Sequence, residues 1–327
     1  MSLAALKRSP TLATSAVFLI ALALCVARFP VVLSGQVIGD LLTDNAVLGL
    51  AALGMTFVIV SGGIDLSIGA VAAFTSMFLA VAIERWKLPP PVAVAATLVL
   101  AVVFGALIGL GVRILRTPPF ILTLAAMFLA RGGCFLLSKE AISIRDPAYQ
   151  HLAGFALALP GGLSLSTVAL MMLMAVLVGG VLLHRTRWGA AVYAIGGDAR
   201  AAELMGLAVS RTVVSIYAVS SLCGALAGIA LSFYTTAGNP LAAQGLELDA
   251  IAAVVIGGAL LSGGSGRVAG SFLGVLIQGL ILLYITFDGR ISSWWTRITI
   301  GALLFAFVGF QKLMSEWSAR NALGSKP

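Results

Sequence analysis

Charge is scarce in this sequence: 10% of its 327 residues are Asp, Glu, Lys or Arg, against 60% hydrophobic residues, and the mean hydropathy is +1.09. That excludes an ordinary water-soluble domain and indicates a polytopic membrane protein. The three cysteines, Cys25, Cys134 and Cys223, fall inside apolar runs without metal-ligand spacing and read as inert buried thiols. The two histidines, His151 and His184, stand in different connections and cannot form a metal pair or share a base. No phosphate-binding loop ending in Lys and Ser/Thr occurs, no Gly-x-Ser-x-Gly elbow, and no intramembrane chain of Asp, Glu and His. The expected chain is therefore not an enzyme, has no catalytic or metal residues and needs no cofactor of its own. The +8 net charge is spread between apolar spans rather than gathered in a patch, which argues against nucleic acid as a partner.

What the chain has instead is long apolar runs. Ten candidate spans have cores near 12–27, 46–60, 68–83, 92–112, 120–137, 165–183, 213–233, 250–261, 268–287 and 298–310. The expected fold is an all-α membrane bundle of about ten transmembrane helices, a single domain over 1–327. Several spans fall short of the roughly 20 residues of a perpendicular crossing and can be broken or re-entrant. The opening run follows Lys7 and Arg8 but lacks a small-residue cleavage site, so it reads as a retained span. With an inner N-terminus, twelve basic residues fall in inner segments and seven in outer ones, with Arg131 inside a span. This bias puts both termini on the cytoplasmic side.

The apolar pattern breaks at Ser61, Gly62, Gly63 and Asp65. Polar groups at such a depth are costly unless they line a cavity, face a partner or end a helix. Asp65 either meets substrate or a gate, or caps the helix that follows it. A second Ser-Gly-Gly, at Ser262, lies 201 positions on. Paired, glycine-interrupted segments of this kind point to a translocation path. Asn45, Thr123 and Gln278 offer hydrogen bonds either to substrate or to a neighbouring helix. Asp249 reads as a helix cap, and Arg131 as snorkelling to the interface. Glycines four apart (Gly105/Gly109, Gly224/Gly228, Gly270/Gly274) read as close helix packing within the chain. The connection at 137–165 reads as a solvated loop.

The inner connection at about 184–211 carries a short helix, capped by Asp198 and ended by Gly206. Ala201, Leu204 and Met205 share one face, with Arg200 and Glu203 turned away. A helix this short needs a surface to dock on, in its own chain or in a partner.

Four stretches then carry a resemblance: GMTFVIVSGGIDLSIGAVAAFTS (54–76), TPPFILTLAAMFLARG (117–132), YAIGGDARAAELMG (193–206) and ELDAIAAVVIGGALLSGGSGRVAGSFLG (247–274). In this order they resemble the permeases of ribose-type bacterial monosaccharide ABC importers. LTDNAVLGL (42–50) and FDGRISSWWTRITIGALLF (287–305) further resemble a permease subunit of the galactofuranose importer. The resemblance implies a multi-pass subunit of the bacterial inner membrane. It would pair with a second permease, identical or homologous, and sit on a cytoplasmic ABC ATPase, which uses the ATP. A periplasmic sugar-binding protein would deliver the sugar. The pathway candidates, read from the residues themselves, are Asn45, Ser61, Gly62, Gly63, Asp65, Thr123 and Gln278. ATPase coupling is implied for Gly196, Gly197, Asp198, Ala201, Leu204, Met205 and Gly206. A self-sufficient secondary carrier and a polytopic scaffold subunit are the competing readings.

Overall fold

The structure is a computed structural model that describes residues 10–115, 117–290 and 294–323. Four of the basic residues used to orient the chain, Lys7, Arg8, Arg116 and Lys326, lie outside the described residues.

Apolar runs without internal proline form helices, and proline, Asp or Ser marks their starts. The first half comprises α1 (Pro10–Arg28), α2 (Gly35–Asp44), α3 (Ala46–Val60), α4 (Ile68–Glu84), α5 (Pro90–Leu115), α6 (Pro119–Leu137) and the short α7 (Pro147–Ala153). The second half comprises α8 (Thr167–Arg185), α9 (Arg187–Gly197), α10 (Ala199–Leu204), α11 (Val209–Thr235), α12 (Leu246–Ile256), α13 (Val268–Asp288) and α14 (Trp294–Leu323). Among the described residues α5, α6, α8, α11 and α13 are long and apolar enough to cross a membrane, and α2 with α3, bent by 52°, makes a sixth candidate. The further apolar stretches, Leu12–Arg28, Ile68–Glu84 and Trp294–Gly309, are shorter, and α12 stops at Ile256 rather than continuing to 261.

The centre of the bundle is α3, whose sequence is apolar on every side and which is accordingly buried along nearly its whole length. Against it lies α11, which also packs on α4 and α5. The glycine pairs allow these approaches. A Cβ at Gly105 would strike the Tyr217 carbonyl, one at Gly228 the Ala72 carbonyl, and one at Gly274 the Ala253 carbonyl. All three contacts are within the chain, as expected from the spacing. In contrast, α6 exposes Phe128, Leu129 and Leu136.

At one end of the bundle the connections are more ordered than a solvated loop. Strand β1 (Ile142–Ser143) pairs antiparallel with β4 (Ala237–Gly238), tying the segment after α6 to the segment after α11. Strands β2 (Ala156–Ala158) and β3 (Ser164–Ser166) form a hairpin. Helix α7 is capped by the Asp146 side chain, which accepts the Tyr149 amide at 2.9 Å. The Tyr149 hydroxyl lies 2.6 Å from Ser232 Oγ, and its ring is buried. Most of residues 138–164 stay exposed, as expected of a solvated loop, while Tyr149 and Ile144 anchor the connection by long-range contacts that local polarity does not reveal. Arg131 departs from the snorkelling expectation in the same way. Its guanidinium donates to the carbonyls of Ala242 (2.5 Å) and Ala243 (2.8 Å) and holds the α11–α12 connection.

Candidate functional site

The two sequence breaks meet at the end of the bundle opposite the strands. Helix α3 stops where Ser61 Oγ donates to the Val58 carbonyl at 2.7 Å and Gly62 turns to φ +83°. The Val60 carbonyl, left over at the helix end, accepts the Gly264 amide from the α12–α13 break at 2.8 Å. The end of α9 wedges against the same point. A Cβ on Gly196 would collide with the Val60 carbonyl and come within 2.5 Å of the Gly264 amide nitrogen. Tyr193, one turn earlier on α9, donates its hydroxyl to the Gly266 carbonyl at 2.6 Å. Three segments far apart in sequence are joined here by backbone, so a displacement of α9 bears directly on both breaks.

Asp65 follows this junction and is fully buried. One oxygen accepts the Ser67 amide at 2.9 Å and the Ser67 hydroxyl at 2.6 Å, which fixes the turn that launches α4. The other accepts the Ser220 hydroxyl of α11 at 2.7 Å. Thr123 of α6, also fully buried, donates its hydroxyl toward the Ile64 carbonyl at 3.2 Å and the Pro119 carbonyl at 3.0 Å. The break is thereby held from two sides. The sequence reading passed over Tyr217, Ser220 and Ser221 of α11. Among the described residues the hydroxyls of Tyr217 and Ser221 are buried without a partner, and the former lies against Gly63. A polar stripe at i, i+3, i+4 in an otherwise apolar helix was the available signal.

Asn45 and Gln278 belong elsewhere. With Asp44, Asp249, Trp294, Thr296 and Arg297 they line a cleft of about 390 Å³ among α3, α12, α13 and α14. Gln278 Nε2 donates to the Asp249 carbonyl at 3.2 Å, Asn45 Nδ2 to the Leu41 carbonyl at 2.8 Å, and the Tyr234 hydroxyl to Asp44 at 3.0 Å. The Thr296 hydroxyl is buried without a partner among the described residues. Asp249 is not a cap, because α12 already begins at Leu246 after Gly245 in the left-handed region. Two carboxylates, two amides, a hydroxyl, an arginine and an indole around one cleft suit a polyhydroxylated ligand with a flat apolar face. A larger cavity, among α1, α13 and α14, is mostly apolar and remote from both breaks.

The connection between α8 and α11 forms the expected capped helix, with one correction. The Asp198 side chain accepts the amides of Arg200 (2.8 Å) and Ala201 (3.0 Å). These bonds, first that from Ala201, hold its carboxyl below the usual range. Gly206, at φ +83°, ends α10, with its amide on the Glu203 carbonyl and the Leu207 amide on the Ala202 carbonyl. The correction is to the docking face: Ala202 is buried with Ile195 and Val209, while Ala201 is exposed. Glu203 is not turned away from the chain but pairs with Arg113 of α5 at 2.9 Å. The small methyl of Ala202 permits the close approach, and the exposed ion pair lies beside it. Leu204 and Met205 are left 90% and 70% exposed. Gly197 has open space where a Cβ would stand.

Residues 37–308 match a family described as branched-chain amino acid transport system / permease component. The chain is 51% identical over 290 residues to the inner membrane ABC transporter permease protein YjfF of Escherichia coli K12, covering 88% of each chain. It is 35% identical over 291 residues to the fructose import permease protein FruG of Bifidobacterium longum, covering 87% of this chain and 85% of that one. It is 38% identical over 254 residues to the ribose import permease protein RbsC of Bacillus subtilis, covering 74% of each. No solved structure matches.

Proposed function

The chain belongs to the branched-chain amino acid transport system / permease component family, and from that premise we propose that it is the permease of an importer whose cargo is galactofuranose. It is a permease subunit of a monosaccharide ABC transporter and not an enzyme; ATP hydrolysis belongs to a separate chain. Sugar rather than amino acid is supported by the import permeases for fructose and ribose among its relatives and by the polar cleft around Asn45, Asp249 and Gln278. Galactofuranose follows from the resemblance of 42–50 and 287–305, which contribute Asp44, Asn45, Trp294, Thr296 and Arg297 to that cleft.

In this reading both termini face the cytoplasm, and the end tied by β1 and β4 faces the periplasm and receives the loaded binding protein. A second permease, identical or homologous, covers the exposed face of α6. Sugar enters by the cleft between α3, α12, α13 and α14. The observation that carries the coupling is the backbone junction of Val60, Gly264 and Gly196. An ATPase seated on Leu204 and Met205 moves α9 and α10, and α9 pushes on both breaks at once, which opens or closes the inner gate.

The test is uptake by proteoliposomes holding the chain, its partner permease, the ATPase and the binding protein. Labelled galactofuranose enters only with ATP, and unlabelled ribose, fructose and xylose compete weakly. Uptake by this chain alone under an ion gradient would overturn the importer assignment. Equal displacement by ribose or fructose would overturn only the choice of sugar.

A further inference from the structure

The largest cavity named above plays no part in this transport reading. It is a groove of about 1020 Å³ between α1, α13 and α14, at the upper limit of the roughly 300–1,000 Å³ of small-ligand clefts. Leu24 and Ile281 line its apolar length. One end is different. Arg28, the last residue of α1, and Arg290, two residues beyond α13, both line the groove, together with Tyr284 and Trp295.

The ends of α1 and α13 are side by side, because Phe29 meets the ring of Tyr284 edge-on at 5.5 Å. Both arginines therefore belong to the same end of the bundle and line the groove. Among the described residues neither has a carboxylate within ion-pair distance. Arg28 lies over the Phe29 ring at 5.3 Å, a contact that leaves its donors free. The C-terminal dipoles of α1 and α13, each about half a charge, offset part of Arg28 and of Arg290, and Asp288 ends α13 two residues before Arg290. Two cations thus line an apolar groove together with a tyrosine and a tryptophan of the kind that sit at headgroup level.

We propose that this groove binds one anionic phospholipid. The phosphate sits between Arg28 and Arg290, and an acyl chain runs along Leu24 and Ile281. Basic pockets between membrane helices bind anionic headgroups on the cytoplasmic side of membranes, and here the same combination of charge and apolar wall lies at what the proposed orientation makes the outer ends of α1 and α13. The groove shares α13 and α14 with the sugar cleft but none of its lining residues.

The experiment uses the complete transporter in phosphatidylcholine vesicles. Brominated acyl chains are supplied on either phosphatidylglycerol or phosphatidylcholine. Tryptophan quenching is compared between the native chain and Trp295→Phe, so that the difference reports Trp295. Brominated phosphatidylglycerol is expected to quench Trp295 at a mole fraction at least fivefold lower than brominated phosphatidylcholine. Arg28→Gln with Arg290→Gln abolishes that preference, and Arg28→Lys with Arg290→Lys retains it. Lys87→Gln with Lys139→Gln, which removes equal charge elsewhere, leaves it unchanged. Equal quenching by both lipids overturns the headgroup site, as does a preference that survives the double glutamine variant. Absence of quenching by either lipid means that another protein surface fills the groove, and it overturns the proposal. Loss of the preference on adding inorganic phosphate would reassign the arginines to a soluble anion.

Discussion

The carboxylate of Asp65 accepts the hydroxyl of Ser220 at 2.7 Å across 155 positions of sequence. The same carboxylate holds the amide and hydroxyl of Ser67, so one fully buried side chain fixes the entry to α4 and fastens it to α11. Asp65→Ala leaves two buried hydroxyls and an amide without their acceptor, at a cost of about 1–3 kcal/mol for each group that finds no other partner. Asp65→Asn keeps an acceptor for the Ser67 amide and is milder. Ser220→Ala removes one bond and costs about 1 kcal/mol. Thermal unfolding of the detergent-solubilised protein checks the order. A double-mutant cycle between Asp65→Ala and Ser220→Ala yields a coupling of about 0.5–3 kcal/mol. Strict additivity would mean that the two side chains act independently.

Gly196 and Gly197 are neighbours with opposite surroundings. Alanine at 196 has no room beside Val60 and Gly264, whereas alanine at 197 meets nothing within 4 Å. We expect Gly196→Ala to reduce sugar uptake at least tenfold while ATPase binding persists, and Gly197→Ala to transport normally. Uptake and ATPase co-purification, measured on the same membranes, decide the matter. Equal uptake by the two variants would remove the junction from the coupling route.

Leu204 and Met205 are exposed on a helix that already has a docking contact through Ala202. Replacing both with Asp should change stability by no more than about 0.5 kcal/mol, as at other exposed positions. Binding of the ATPase should fail, because the new charges would be buried unpaired in the interface. Ala202→Asp is the contrasting variant, since it destabilises the permease itself. Co-purification beside a melting curve separates the two effects.

The buried Thr296 hydroxyl has no partner in the described chain and lies in the same cleft as Gln278. A sugar hydroxyl would satisfy it. Thr296→Val is therefore expected to raise KM for sugar about tenfold, the factor that corresponds to one hydrogen bond of about 1.4 kcal/mol, with little change in melting temperature. Gln278→Ala should act in the same direction, but it also frees the Asp249 carbonyl and lowers stability. A sugar-independent loss of both activity and fold in Thr296→Val would make the hydroxyl structural.

Much of this protein is determined locally. Scarce charge and long apolar runs force a helical bundle, because a backbone in lipid must satisfy its own hydrogen bonds. The cap at Asp198 and the stop at Gly206 are likewise set by neighbours in sequence, and the structure has both. What only the tertiary structure decided is how residues far apart meet. The pathway residues read as one group separate into two: Asn45 and Gln278 share the polar cleft, while Ser61, Gly62, Gly63, Asp65 and Thr123 gather at the breaks. Periodicity could not foresee this, since it ranks faces of one helix and is silent on which helix each face meets. The same limit explains the docking face of α10. Spacing grouped Leu204 and Met205 with Ala201, but the close approach of Ala202 turned the helix, and Glu203 lies beside Arg113. Arg131 and Tyr149 found partners more than 80 positions away, and a buried polar group takes whatever partner the packing brings within reach.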